Sequence, residues 1–167
     1  SVWHDACAEI SEMALAFDAV RPTLADAPET IRVNIEQNLF QHTLDHEDRI
    51  KSNFPMTDLA VIRIHSVLDA AGRKAVIEQR LDAMLAQATA VDGTTGEKGL
   101  NGYASYTSSG MFHYLAHVAA TDRTHFHEIL ARHPRIVEGV RFFLDCWCLK
   151  KFYPSCGDAG AFTMPQP

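Results

Sequence analysis

Basic residues are the minority charge in this sequence: 15 Lys and Arg stand against 21 Asp and Glu, a net charge of −6. Broad binding to nucleic-acid phosphates needs a basic field, so this balance excludes it and leaves room only for a local basic cleft. Cysteine is scarce as well. Four cysteines in 167 residues are too few for a disulfide scaffold. Cys146 and Cys148 form a C-x-C, with Cys156 eight residues further and Cys7 far away, which is not the paired spacing of a zinc site. No run reaches the ~20 apolar residues of a membrane span. No alternating runs flank a hairpin turn, so strands are not expected. A G-x-x-x-x-G-K-[ST] phosphate loop, a G-x-S-x-G elbow and an H-E-x-x-H zinc helix are all missing. The opening SVWHDACAEI has neither a basic nor an apolar leader segment and does not read as a signal peptide.

What remains is an ordinary globular composition, 47% apolar and 22% charged, at a length that fits one domain, residues 1–167. The pattern is helix after helix. Asp5 can cap a first helix to about Val20, which Arg21-Pro22 ends. Pro28 and Glu29 suit a second helix start, with Ile31, Ile35, Leu39 and Leu44 on one face to about Asp48. Asn53-Phe54-Pro55 breaks the chain before a third helix that Gly72 can end in the left-handed conformation. A fourth spans about 73–91. Segment 92–102, DGTTGEKGLNG, holds four of the nine glycines and reads as a shaped loop. A fifth helix begins among Tyr103 and Tyr106, a sixth is capped by Thr121 or Asp122, and a seventh opens at Pro134 and runs to about Phe152. The class is all-α. About seven helices with short connections favour antiparallel helical hairpins, as part of a bundle, a solenoid or an α/α toroid.

Chemistry-bearing residues fall into two groups. His42 with His46, and His113 with His117, have the i,i+4 spacing that puts two imidazoles on one helix face. The first pair lies in the polar stretch Gln41–Asp48 and reads better as a solvated helix face, so no metal and no cofactor are assigned. His65 reads as a satisfied, partly buried histidine. The second group is the glycine segment. Glu97, Lys98, Asn101, Tyr103 and Tyr106 gather acid, base, amide and phenol groups within about ten residues, a set that suits a sugar. Tyrosines that merely seal a helix end would look the same.

The stretch V-D-G-T-T-G-E-K-G-L-N-G-Y-A-S-Y resembles the DG-x-x-x-E-x-S-x-x-Y-x-x-Y segment of heparinase II/III-like polysaccharide lyases. R-I-K-S-N-F-P at 49–55 is similar to the place where those enzymes carry an Asn or an Asn-His pair. F-Y-P-S-C-G-D-A-G at 152–160 is similar to their P-x-x-GD-x-G segment. The three occur in the family's order over residues 49–160. The resemblance implies part of an N-terminal α/α toroid, a fragment of a larger toroid that a partner chain or self-association would complete. It also implies an acidic polysaccharide as partner, a secreted or periplasmic location and β-elimination at a uronic acid without a cofactor. Tyr103 matches the family's tyrosine acid, with the base role also open to it. Asn53 matches the amide that neutralises the substrate carboxylate, and Glu97 the acidic loop residue. Tyr106 would line a sugar subsite; Lys98, Arg49 and Asn101 could contact an anionic sugar. Phe54 stands where many members have histidine, and a further catalytic histidine of the family lies beyond the matched segments. These departures keep a second reading open, a non-catalytic helical module that binds carbohydrate or protein.

Overall fold

In the computed structural model, residues 5–96 and 99–149 are described, with the backbone alone for residue 25 and residues 99–101. Among the described residues the fold is all-α. There is no strand, only an isolated bridge between Val91 and Thr94, and no helix is long and apolar enough to cross a membrane. The helices are α1 (Ala6–Val20), α2 (Glu29–Val33), α3 (His42–Asp45), α4 (Met56–Asp69), α5 (Lys74–Ala88), α6 (Ser105–Thr121), α7 (Arg123–Arg132) and α8 (Arg135–Asp145). A π-helical segment, Asn34–Gln41, joins α2 to α3, so the described residues make seven α-helical stretches. It divides into two compact units, Ser1–Leu81 and Asp82–Pro167.

In the first unit, Ala14, Phe17, Phe40, Ile64 and Val67 form a buried cluster, covered at its edges by Ile10, Leu24, Ile35, Leu39, Leu44 and Leu68. Phe17 and Phe40 meet edge to face at 5.4 Å, a favoured aromatic geometry. The expected second helix therefore exists, but Phe40, not Ile31, is its anchor; Ile31 is 46% exposed. Ile35, Leu39 and Leu44 of the expected face pack at the edge of the cluster, and the π segment that holds the first two departs from a regular 3.6 repeat. Helix α1 lies along α4. Cys7 meets Thr57, and Ser11 accepts a hydrogen bond from Arg63. Contacts that advance together along both helices mean that α1 and α4 run in the same direction. Two boundary readings need correction. Asp5 stands at the start of α1 but its side chain makes no cap bond. Gly72 has no positive φ; its N–H instead donates to the Asp69 carboxylate at 2.9 Å, so that side chain ends the helix.

In the second unit, α6 buries Met111, Tyr114, Leu115 and Val118, the i, i+3, i+4, i+7 stripe of an amphipathic helix. Asp122 caps α7 by accepting from the His125 N–H at 2.9 Å. Helix α8 buries Ile136 and Gly139, while Val140 and Leu144 are exposed. It ends at Asp145, short of the expected Phe152, and Leu149 lies at φ 52°.

Candidate functional site

The segment that carries the sugar-site expectation begins with a two-residue turn. Asp92 and Gly93 both have positive φ, 50° and 79°, as in a type I′ turn. Val91 and Thr94 exchange both backbone hydrogen bonds across it, at 2.9 and 2.8 Å. The Asp-Gly pair is the usual sequence signal for that turn; the missing alternation on either side hid it. Thr94 and Thr95 are buried. Gly93 sits against α8: a Cβ placed on it would lie 2.2 Å from the Gly139 N, and one on Gly139 would lie 2.1 Å from the Gly93 O. Arg135 adds a hydrogen bond to the Ala90 carbonyl at 2.8 Å. Two glycines thus let a loop peptide touch a helix backbone directly.

The shaped loop is shorter than expected. Gly99–Ala104 is a π-helical turn, kinked at Gly102, that runs into α6. Tyr103 is half-buried in this turn and Tyr106, 42% exposed, lies in the first turn of α6. The Ser105 hydroxyl donates to the Gly102 carbonyl at 2.9 Å, holding the junction. Asn101 belongs to the same turn. Glu97, Lys98 and the 152–160 segment lie outside the described residues.

Asn53 and Arg49 belong to the first unit and are both exposed. Asn53 precedes a cis Phe54–Pro55 bond, and its carbonyl accepts from the Met56 N–H at 2.9 Å as α4 begins. Phe54, the departure from the family pattern, is half-buried. Arg49 and Asn53 thus fall in the first unit, and Asn101, Tyr103 and Tyr106 in the second.

Sequence reasoning missed a polar network in the first unit. Arg80 on α5 donates to Asp58 at 2.8 Å and to Glu47 at 2.9 Å through Nη1, with Nη2 also on Glu47. Arg73 donates to Gln41 at 2.8 Å and to His65 Nδ1 at 3.2 Å. Burial, then the cations of Arg73 and Arg80, hold His65 below its ordinary pKa, so it accepts from Arg73 as a neutral ring. The partners lie 8 to 33 residues apart, and no local pattern announces them. Arg80→Met is expected to cost about 1–3 kcal/mol as a lower urea midpoint at unchanged slope. Adding Asp58→Asn and Glu47→Gln should return part of that loss. If Arg80→Met alone unfolds at the wild-type midpoint, the network contributes nothing.

Cys7 is fully buried, and its thiol donates to the Ile50 carbonyl. Burial pushes its pKa up, an effect that the Thr57 hydrogen bond only partly opposes. Since the thiolate is the reactive form, iodoacetamide at mild alkaline pH should label Cys146 and Cys148 in the native chain and Cys7 only after unfolding. Peptide mass spectrometry with and without urea reads this out; equal native labelling of Cys7 would contradict its burial.

In the second unit Asp82 receives His133 Nε2 at 2.8 Å and Arg132 Nη2 at 3.1 Å. Burial alone would raise its pKa, but the hydrogen bonds from His133 and Arg132 outweigh it and the carboxyl ends lowered.

The chain matches no known family profile, no curated protein and no solved structure.

Proposed function

We propose that this chain is part of a polysaccharide-lyase-related helical toroid that acts by β-elimination on a uronic-acid-containing polysaccharide. The observation that carries the proposal is the setting of Tyr103. It follows an Asp-Gly turn pinned to α8 through Gly93 and Gly139, and it stands where a π turn feeds a long helix. A reactive side chain benefits from such support, because a fixed backbone sets its reach. The parallel course of α1 and α4 also suits the reading: in a ring of helical hairpins every second helix runs the same way beside its equivalent.

In the proposed reaction a base, a role the resemblance leaves open to Tyr103 itself, takes the C5 proton of the uronate and the C4–O bond breaks. The new double bond forms between C4 and C5, and the leaving oxygen takes a proton. Tyr103 supplies that proton through its phenol. The resemblance gives Asn53 the role of the amide that meets the substrate carboxylate, favouring the charge that builds there as C5 loses its proton. Tyr106 offers an aromatic face to a neighbouring sugar.

The test is the ultraviolet absorbance of the unsaturated uronate product, followed with heparin, heparan sulfate, alginate and hyaluronan as substrates. A rise with one of them supports the reading. No rise with any of them overturns its catalytic form and favours the binding module, which Phe54 in place of histidine already suits. Retention on the same polymers immobilised on resin is then the expected result.

A further inference from the structure

We propose that His42 and His46 form a surface chelate for one divalent transition-metal ion of the nickel, copper and zinc class. The two residues open and close the last regular turn before the chain bends, with α3 running from His42 to Asp45 and His46 at its C-terminal end. Their rings lie 4.2 Å apart, centre to centre, with planes inclined by 37°. Two nitrogens bound to one such ion at about 2.0–2.1 Å each stand about 3 Å apart, a spacing of the same order as the separation of these ring centres.

The second observation concerns which nitrogen is available. His46 Nδ1 lies 2.9 Å from the His42 carbonyl oxygen. A carbonyl only accepts, so the proton is on Nδ1 and the lone pair is on Nε2. This is the arrangement found behind metal-binding histidines, where the far ring nitrogen donates to a carbonyl or carboxylate and orients the ligand. One backbone group therefore both satisfies a helix end and presets an imidazole for coordination. His113 and His117 share the spacing and are both exposed on α6, but among the described residues neither ring is held by a carbonyl.

Two of the nearby carboxylates are engaged elsewhere. Asp45 accepts from Gln41 at 2.8 Å, and Glu47 is bound to Arg80. Among the described residues no three His, Cys, Asp or Glu groups are placed to hold a metal. The chelate is thus two imidazoles with water in the other positions. That donor set suits nickel, copper and zinc and offers little to calcium or magnesium, which prefer oxygen.

The test is a calorimetric titration of the full chain with nickel chloride in a non-chelating buffer. It is run in a His113→Ala, His117→Ala background to silence the other pair. One ion per chain is expected, with affinity falling at least about tenfold on His42→Ala and again on His46→Ala. Magnesium chloride should give no binding. Because His42 is exposed, His42→Ala keeps the fold, and circular dichroism melting checks both variants. Titrations unchanged by either substitution, or no nickel bound in the background chain, would overturn the proposal.

Discussion

Gly139→Ala is expected to lower the stability of the chain by at least about 2 kcal/mol, where helix propensity alone predicts the opposite sign. Alanine is the better helix former by about 1 kcal/mol, so in an open helix this change would stabilise. Here the new methyl would meet the Gly93 carbonyl oxygen at 2.1 Å. The obstacle is backbone, so no rotamer change relieves it, and either the turn or α8 must move. Gly93→Ala should cost as much or more. Its methyl would lie 2.2 Å from the Gly139 N and 2.7 Å from the Arg135 O, and its φ of 79° adds about 1 kcal/mol of left-handed strain. Val140→Ala, one residue along α8 and exposed, serves as a control and should stay within about 0.5 kcal/mol. Urea unfolding midpoints read all three. A higher midpoint for Gly139→Ala would show that the turn does not rest on the helix.

Tyr103→Phe is expected to lower the rate of unsaturated-product formation by about 10²–10⁴-fold, the usual weight of a positioned acid or base. The substitution removes one oxygen and keeps the ring, so packing of the half-buried side chain changes little. Tyr106→Phe separates the roles. If Tyr106 lends only a ring face to the polymer, its loss of a hydroxyl should change the rate by no more than a few-fold. Asn53→Ala should fall with Tyr103→Phe in kcat, since a donor aimed at developing charge acts mainly on the transition state. Melting curves for each variant keep a folding defect from passing as a chemical one. Full activity in Tyr103→Phe would remove the residue from the chemistry.

The helices were legible because their signals are local. Pro134 opens α8 and Asp122 caps α7, and the apolar stripe of α6 falls on one face. Other features depend on partners distant in sequence. Gly139 is an unremarked glycine inside a helix until Gly93, 46 residues earlier, is seen to touch it. The Arg80 network joins residues 22 and 33 positions apart. The π segments share the composition of α-helix, and only the backbone reveals them. Of the candidate site, Asn101 and Tyr103 fall in the π turn and Tyr106 in α6, while Asn53 lies in the break before α4. Glu97 and Lys98 lie outside the described residues.

The parallel pairing of α1 with α4 has a kinetic side. Cys7 and Thr57 are 50 residues apart, so the first core of this all-α chain is sealed by distant contacts. Chains whose contacts are distant fold more slowly than those of neighbouring helices. During synthesis at about 5–20 residues per second, α1 (Ala6–Val20) waits roughly 2.5–10 seconds until α4 (Met56–Asp69) is complete. For that interval the Phe17 face has no α4 to cover it. Nascent chains halted before α4 is made should therefore bind a holdase chaperone, and chains halted after it should release.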